Sequence, residues 1–353
     1  MRVIQNARVS VIIPARNEEV NIARVVRSLA GQQGLLEILV VNDHSVDRTG
    51  EILAALEGEI PVLRTLQVVS LPEGWLGKTH AAAQGARAAT GDWLLFTDAD
   101  TEHMAGSLAE LLKRAEDESA ALLSLSPGQE TPTWWEKAVI PLVYVALASL
   151  FRFEEVSDPQ SPAAAANGQY LLVRGEIYER SGGHEAVKLA ILEDVELARR
   201  IKALGGKLLF LPGARWVRTR MYRTFREMWQ GWTKNLYLLY CGDLSRMLAA
   251  VASIWLLDLL PALAFVAACV WVSFARVGGW ATLLAVGLFL LSLMRQWKYA
   301  LALQRLGFDP ALASYQPIGA ALLGALLLNS LRAHRLARTI QWKGRRYATK
   351  GKG

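Results

Sequence analysis

Residues 9–19 read VSVIIPARNEE, and this stretch decides the fold that the rest of the chain completes. Its first half is a β-branched apolar run that stops at Pro14, which is typical of a strand buried on both faces. Similar runs predict five further strands: residues 37–42 (EILVVN), 66–70 (LQVVS), 93–97 (WLLFT), 169–174 (QYLLVR) and 207–211 (KLLFL). Helical patterns separate these runs, so the sequence predicts an α/β fold with a mostly parallel, Rossmann-like sheet covered on both faces.

Acidic residues follow three of these predicted strands. Glu18 comes after the first strand, Asp43 after the second, and Asp98 and Asp100 after the fourth. Ligands of parallel α/β sheets bind at the carboxyl ends of the strands, where all four side chains are expected to lie. The sequence therefore predicts one binding site at this edge of the sheet.

Asp98 and Asp100 flank a single small residue, which places two carboxylates on the same side of an extended turn. Divalent cations such as Mg²⁺ and Mn²⁺ prefer oxygen ligands of this kind and also bind phosphate oxygens. A cation held there would neutralise the charge of a diphosphate leaving group. We predict that Asp100 and Asp98 bind a divalent cation; the alternative is an acidic surface turn without a ligand.

Glu193 and Asp194 open a predicted helix that extends to residue 204. A carboxylate in a site can remove the proton of an acceptor hydroxyl as that hydroxyl attacks a sugar carbon. We predict that Asp194 is this catalytic base and that Glu193 supports it or contacts the acceptor. The alternative is an ordinary acidic pair that complements the helix dipole.

Lys78, in the stretch GWLGKTHA, is expected to contact a diphosphate as a point charge. Asp43 is expected to hydrogen-bond a base or ribose edge, and Glu18 belongs to the same predicted site. Simpler roles are a solvated loop lysine for Lys78 and an Asx-turn or helix cap for Asp43.

Four histidines lack metal-ligand spacing and are interpreted as structural or peripheral: His44, His80, His103 and His184.

The composition changes near residue 245, which predicts a catalytic domain over residues 1–240 and a membrane region over residues 245–331. The membrane region has two or three apolar helices, and its longest apolar runs can span a hydrocarbon core of about 30 Å. The apolar runs are residues 248–274, 280–294 and 311–331. Residues 133–153 predict either a helix in the membrane interface or a buried helix of the catalytic domain.

A basic tail follows the membrane region, because residues 332–353 hold eight Lys or Arg and no acidic residue. Such a tail beside apolar spans indicates contact with anionic lipid headgroups and not with nucleic acid. With no signal-peptide pattern in MRVIQNARVS and only two cysteines, the catalytic domain is expected to be cytoplasmic. These features predict a multi-pass protein of the inner (plasma) membrane.

Three full crossings would put this basic tail on the outer side, against the positive-inside rule. We therefore expect one apolar segment to be re-entrant or interfacial. The last segment is the candidate, because Pro317, Gly319 and Gly324 weaken it.

Five stretches resemble glycosyltransferase family 2, with its GT-A nucleotide-diphospho-sugar fold, in their order and spacing over about residues 9–240. They are VIIPARNEE, VVNDHSVDRT, LFTDAD, LEDVELARRIK and MWQGWTKN. The membrane tail, GWLGKTHA and the late WKGRRY resemble the branch with hopene-associated and carotenoid glycosyltransferases.

The resemblance implies an inverting transfer from a UDP-sugar to a lipid-like acceptor such as a hopanoid, a carotenoid or a glycerolipid. It implies that Glu18 and Asp43 hold the uridine, that Asp98 contacts the donor and that Asp100 ligates the metal. It also implies that Asp194 is the catalytic base.

Two alternatives stay open at this point. Processive polysaccharide synthases carry a Gln-x-x-Arg-Trp signature, whereas this chain reads Gln230-Gly-Trp-Thr-Lys, which favours a single transfer. A non-enzymatic membrane scaffold with the same fold is the other alternative. Its weakness is that such a scaffold has no reason to keep Asp43, Asp98, Asp100 and Asp194 together.

Overall fold

The computed structural model describes residues 8–275, 279–337, 339–342 and 345–348. Residues 1–7 and parts of the predicted basic tail lie outside these described residues. The chain divides into two compact units. The first comprises Met1–Glu130 and Phe151–Met221, and the second comprises Thr131–Leu150 and Tyr222–Gly353.

The first unit is built on a seven-stranded sheet with the order β3-β2-β1-β4-β8-β6-β9. All neighbours in this sheet are parallel except for β8, which runs antiparallel to both β4 and β6. The strands are β1 Val9–Ala15, β2 Leu35–Asn42, β3 Leu63–Gln67, β4 Trp93–Phe96, β6 Leu122–Ser126, β8 Leu171–Arg174 and β9 Leu208–Pro212. The prediction of a mostly parallel α/β sheet is confirmed.

Helices cover both faces of this sheet. The helices of the first unit are α1 Ile22–Leu29, α2 Thr49–Glu59, α3 Gly77–Ala88, α4 Ser107–Asp117, α6 Phe153–Ser157, α7 Gly175–Arg180 and α8 Glu193–Ala203. One core packs α1, α2 and α4 on the sheet, and the other packs α3, α7 and α8 on the opposite face. Fully buried side chains such as Ile12 and Leu39 fill the layers between helices and sheet.

The third strand begins earlier than predicted, because β3 is Leu63–Gln67 and the prediction was residues 66–70. The prediction was wrong because the β-branched pair Val68-Val69 has a high strand propensity although it lies beyond the strand. Val68 is buried beyond the strand, whereas Val69 is 92% exposed. Leu63 instead pairs with Ile38 of β2. Strand β6, with the sequence LLSLS, was not predicted, because its serines interrupt the apolar run although Ser124 is fully buried.

A small sheet supports the turn that follows β4. It consists of β5 Thr101–His103, β7 Gly128–Gln129 and β10 Val217–Thr219, in the order β5-β10-β7. Thr219 donates its hydroxyl to the backbone oxygen of Asp100 at 3.2 Å, and Thr101 donates its own to the backbone oxygen of Asp98 at 2.8 Å. The backbone of the Asp98-Ala-Asp100 turn is thereby held from two strands.

Helix α3 approaches the sheet closely at Gly85. A Cβ atom added there would collide with Ile12 and come within 3.1 Å of Val41. We expect Gly85→Ala to lower the free energy of unfolding by about 1–3 kcal/mol, because overpacking a close-packed core displaces its neighbours. Thermal unfolding of the detergent-solubilised protein measures this change.

Gly58 of α2 provides the matched control, since a Cβ atom there meets nothing within 4 Å. Gly58→Ala is expected to leave stability unchanged or to raise it by up to about 1 kcal/mol through helix propensity. Equal effects of the two substitutions would contradict the close approach of α3 to the sheet.

The second unit is helical, apart from a short hairpin. Its helices are α5 Trp134–Leu150, α9 Phe225–Leu239, α10 Leu244–Ile254, α11 Leu260–Ala275, α12 Gly279–Arg305 and α13 Gln316–Arg332, and its hairpin strands are β11 Thr339–Trp342 and β12 Arg345–Ala348. A π-helical turn, Trp255–Leu259, joins α10 to α11 without a break. Among the described residues, three stretches are long and apolar enough to cross a membrane: Leu244–Trp271, Gly279–Arg305 and Pro310–Ala337.

The predicted segment 133–153 forms α5 within the second unit. Glu136, which interrupts the apolar pattern, accepts hydrogen bonds from the backbone N–H of Thr133 at 2.9 Å and from its hydroxyl at 2.6 Å. In a capping box, the glutamate at the third helical position accepts the backbone N–H of the threonine that precedes the helix. The charge therefore caps this apolar helix.

Candidate functional site

A small cleft opens at the carboxyl ends of β1 and β4. Pro14 of β1, the segment after β4 and the first turns of α3 and α8 all contribute to its lining. Its polar lining residues are Lys78, Thr97, Asp98, His184, Glu193 and Asp194. Four of the residues predicted from the sequence therefore meet in one place, although they come from three separate segments of the chain.

Lys78 joins the two acidic segments. Its ammonium nitrogen lies 2.7 Å from Oδ1 of Asp98 and 2.9 Å from Oε1 of Glu193. The Glu193 side chain is 10% exposed, whereas the Lys78 side chain is 45% exposed. The lysine thus joins the largely buried carboxylate of Glu193 to the partly exposed carboxylate of Asp98, and it is not the solvated loop lysine of the simpler interpretation.

Asp194 lies in the first turn of α8 and accepts hydrogen bonds from two backbone N–H groups. Gly168 donates to its Oδ2 at 2.8 Å and Val195 donates to its Oδ1 at 2.8 Å. Both carboxylate oxygens therefore have a fixed orientation. Asp194 thus lines the cleft with both of its oxygens hydrogen-bonded to the backbone.

Gly168 allows the cluster to be compact. A Cβ atom at this position would lie 3.1 Å from the Lys78 nitrogen and 3.5 Å from Oδ2 of Asp194. A larger residue would push the lysine and the aspartate apart. Sequence reasoning did not single out Gly168, because one glycine in the stretch AANGQY carries no signal until its neighbours in space are known.

Charges and burial shift the pKa values of the cluster. Burial opposes charging of Lys78, but the carboxylates of Asp98, Glu193 and Asp194 outweigh it and raise the pKa of Lys78 well above its ordinary value. Burial and the neighbouring Glu193 charge raise the pKa of Asp194 to about 6, although Lys78 and the two N–H donors oppose this rise. A base with this pKa is deprotonated near neutral pH and still takes a proton effectively.

Glu193→Gln is expected to lower the pKa of Asp194, since the Glu193 charge is one of the causes that raise it. The acid limb of the pH–activity profile should then move to lower pH by up to about one unit. The measurement is the rate of sugar transfer between pH 4.5 and 8. Glu196→Gln, a surface change on the same helix, should leave the limb in place; a shift of the limb to higher pH in Glu193→Gln would contradict the assignment.

His184 lines the cleft, although the sequence analysis had interpreted it as structural or peripheral. Its backbone N–H donates to the Tyr178 hydroxyl at 3.1 Å, and this hydroxyl lies 2.9 Å from His184 Nδ1. Burial lowers the pKa of His184 to about 4, so the ring is neutral at pH 7. The Tyr178 hydroxyl therefore binds both the backbone and the ring of His184 and holds the ring in place.

The two predicted metal ligands differ in position. Asp98 lines the cleft and its side chain is 28% exposed. Asp100 is not among the lining residues; it ends the turn, and its backbone oxygen accepts from Arg24 at 3.1 Å and from Thr219. Within the described residues, no group of three or more His, Cys, Asp or Glu could hold a metal ion.

Asp98 and Asp100 still fit a Mg²⁺- or Mn²⁺-type ion that reaches the site with its substrate. Such ions are commonly bound by one or two carboxylates together with phosphate oxygens and water. Oδ1 of Asp98 is already bound to the Lys78 ammonium, so a metal ion would share this carboxylate with the lysine.

Glu18 and Asp43 lie at the ends of the two neighbouring strands β1 and β2. The Glu18 carboxylate accepts from the Asn21 side chain at 2.9 Å, and its backbone N–H donates to Thr49 at 2.8 Å. Asp43 is 4% exposed, and its Oδ1 lies 3.0 Å from Nδ1 of His44. Neither residue is among those that line the cleft.

Comparisons with known proteins agree with this architecture. Residues 10–174 match the sequence profile of glycosyl transferase family 2. The 4,4'-diaponeurosporenoate glycosyltransferase of Staphylococcus aureus strain USA300 is 28% identical over 253 residues, which cover 70% of this chain and 65% of that protein. The same enzyme from strain MRSA252 is 29% identical over the same length. The chain thus spans less than two thirds of the length of these relatives.

A solved structure shares the fold. The mannosyltransferase PcManGT from Pyrobaculum calidifontis, in complex with GDP-Man and Mn²⁺, superposes with a TM-score of 0.53 at 19% sequence identity, and the match covers 95% of this chain and 89% of that one. The mostly parallel sheet, the site at its carboxyl edge and the family match have one common explanation. The chain has the GT-A fold, and residues 10–174 within it match the profile of glycosyl transferase family 2.

Proposed function

We propose that the protein is an inverting glycosyltransferase that moves a sugar from a UDP-sugar to a lipid-like acceptor at a membrane. The observation that carries the proposal is the convergence of Lys78, Asp98, Glu193 and Asp194 in one cleft at the carboxyl edge of the sheet. This cluster combines a carboxylate that can act as a base, a lysine that can pair with the diphosphate and an aspartate that can bind a divalent cation.

Asp194 acts as the base. Its carboxylate removes the proton of the acceptor hydroxyl while the hydroxyl oxygen attacks the anomeric carbon of the sugar and the bond to the diphosphate breaks. One displacement of this kind inverts the anomeric centre. Gly168 and Val195 keep the carboxylate oriented during the reaction, and Glu193 keeps its pKa high.

Lys78 supplies positive charge where the diphosphate leaves. Its nitrogen is bound to Asp98 and Glu193, so it is already held at the cleft before a donor enters. Asp98 and Asp100 would hold a divalent cation there, and such an ion neutralises the developing charge of the leaving group. Electrostatic groups that are fixed in advance stabilise a transition state without reorganisation.

Asp43 and Glu18 are proposed to bind the nucleoside. Both follow strands adjacent to the cleft wall, and the buried Asp43 carboxylate can accept a hydrogen bond from a base edge. The choice of uridine comes from the resemblance of PARNEE and VVNDHS to the family. A purified sample offered UDP and GDP in parallel, with binding measured by calorimetry, tests this choice; tighter binding of GDP would overturn it.

The acceptor is proposed to be a lipid for two reasons. The relatives in Staphylococcus aureus are named for 4,4'-diaponeurosporenoate, and this chain has three stretches that are apolar and long enough to enter a membrane. A hopanoid, a carotenoid or a glycerolipid satisfies both observations.

Incubation of protein-containing membranes with radiolabelled UDP-sugars and Mg²⁺ or Mn²⁺ tests the proposal. Label is expected in a discrete product of the organic phase and is expected to disappear when a chelator is added. A ladder of long polymer would instead indicate a processive synthase. Absence of transfer and of donor hydrolysis with every metal would favour a scaffold without catalytic activity.

A further inference from the structure

The helices α11 and α12 form an antiparallel pair with an apolar outer surface. Phe265 and Phe289 pack against each other between them, with ring centroids 5.2 Å apart. Only 6% of the most apolar window of Leu244–Trp271 and 11% of that of Gly279–Arg305 is buried. These two helices therefore expose apolar side chains on nearly every side, which in water would be strongly unfavourable.

Polar groups mark one end of this helix pair. Arg295 of α12 donates from Nε and Nη2 to Oδ1 of Asp258 at 2.8 and 2.6 Å, and Gln316 donates to the same oxygen at 3.0 Å. Charged side chains avoid the centre of a bilayer, and those that occur pair with one another. The Asp258–Arg295 pair therefore marks a boundary of the apolar region.

The length beyond that boundary matches a bilayer. Helix α11 has 16 residues, and 16 residues of α12 (279 to 294) precede Arg295. Sixteen helical residues span about 24 Å. Trp255 and Trp297 lie just outside these stretches and bring the length closer to the hydrocarbon thickness of about 30 Å. Trp255 and Trp297 lie near the ion-pair end, whereas Trp271 and Trp280 lie near the other end, as expected of two interfacial belts.

Helix α13 differs from this pair, although its hydropathy is similar. Of its most apolar window, 44% is buried within the protein. A Cβ atom at Gly319 would collide with the backbone oxygen of Ala138 in α5, and one at Gly324 would collide with the indole of Trp255. The small residues that weaken α13 as a membrane span are thus the places where other helices cover it.

The last turns of α13 are bound to α9 by polar contacts. Ser330 donates its hydroxyl to the backbone oxygen of Thr233 at 2.7 Å and accepts the N–H of Tyr237 at 2.9 Å. Asn329 and His334 bind Thr233 Oγ1 and the Lys234 backbone oxygen, each at 2.9 Å. Helix α9 carries three charged residues in 15, which are Arg226, Glu227 and Lys234, so it cannot lie in the hydrocarbon core.

We infer that the chain crosses the bilayer twice, through the α11–α12 pair, and that α13 does not cross. The α11–α12 surface is the lipid-contacting surface, and α13 is a covered helix of the second unit. The segment after α13 therefore lies on the same side of the membrane as α9. This inference rests on the proposed membrane attachment and deepens it; an even number of crossings also satisfies the positive-inside rule for the basic tail.

Single-cysteine proteins in sealed vesicles of known orientation test the inference with a membrane-impermeant maleimide. Cys241, an exposed residue just after α9, is the reference in a Cys269→Ala background. Leu336→Cys, at a position 79% exposed, reports on the segment after α13. Gly279→Cys, where a Cβ atom meets nothing within 4 Å, reports on the far end of the helix pair. The two introduced cysteines are studied in a Cys241→Ala/Cys269→Ala background.

Cys241 and the Leu336→Cys variant are expected to label from the same side, and the Gly279→Cys variant from the opposite side. Labelling of the Leu336→Cys variant from the side opposite to Cys241 would overturn the inference and indicate three crossings. Labelling of the Gly279→Cys variant from the Cys241 side would overturn the second crossing. Release of the protein from membranes by alkaline carbonate would overturn the proposed membrane attachment and the inference together. Transfer activity is a separate measurement, and neither labelling result changes what it says about the proposed function.

Discussion

Asp194→Asn is expected to reduce the turnover number for sugar transfer by about 10²- to 10⁴-fold, the range that general bases contribute. The amide keeps the shape of the side chain and can still accept the N–H of Gly168 or Val195, but it cannot take up a proton. Binding of the UDP-sugar should remain within a few-fold, because the donor is held by other residues in the proposed site. The measurements are initial rates in membranes and donor affinity by calorimetry.

The wild-type pH profile follows from the same residue. Since the pKa of Asp194 is raised to about 6, the base is protonated below that pH and deprotonated above it. The rate should therefore fall about tenfold for each pH unit below the pKa and level off above it. The slow residual activity of Asp194→Asn should lack this limb. Near-normal turnover in Asp194→Asn, with the limb intact, would remove Asp194 as the base.

Lys78→Met is expected to reduce turnover by about 10²- to 10³-fold, the cost of removing one fixed group that stabilises charge in a transition state. The variant leaves the carboxylates of Asp98 and Glu193 without the ammonium group that joins them. It should also move the acid limb to higher pH by up to about one unit, because the Lys78 charge lowers the pKa of Asp194. Rates at several pH values measure both effects.

Two controls separate this role from a general loss of charge. Lys78→Arg should keep part of the activity, since the positive charge remains although its geometry changes. Lys113→Met, at an exposed lysine of α4, should change neither rate nor pH profile. The opposite pH shifts expected for Glu193→Gln and Lys78→Met are the most specific signature of the cluster. Parallel shifts would show that the two residues do not act on a common carboxylate.

Much of the site follows from sequence because of the geometry of parallel sheets. Strands that alternate with helices bring their carboxyl ends to one edge, which places the acidic residues after β1, β2 and β4 at that edge. Of these residues, Asp98 lines the cleft, whereas Glu18, Asp43 and Asp100 do not. Asp98 could be placed this way without coordinates. Asp194 and Glu193 could be proposed as a base and its support from their chemistry, but no local pattern predicts that they lie beside Asp98, from which about 95 residues separate them.

Several functional features had no signal in the sequence. Gly168 matters only because Lys78 and Asp194 approach it in space. His184 looked like any isolated histidine until the structure placed it in the cleft, neutral and bonded to Tyr178. The pairing of Lys78 with two carboxylates was also beyond sequence reasoning, because a loop lysine and a cluster lysine have the same neighbours along the chain.

The sequence by itself determined the alternation of strands and helices up to β4, the place of Asp98 at the end of a strand and the presence of apolar helices after residue 245. These are properties of local periodicity and strand order, which are encoded over short stretches of chain. The tertiary structure decided which charges meet, how burial raises the pKa of Asp194, and which apolar helix is covered by others. Burial and long-range pairing depend on residues far apart in sequence, so only the folded chain could show them.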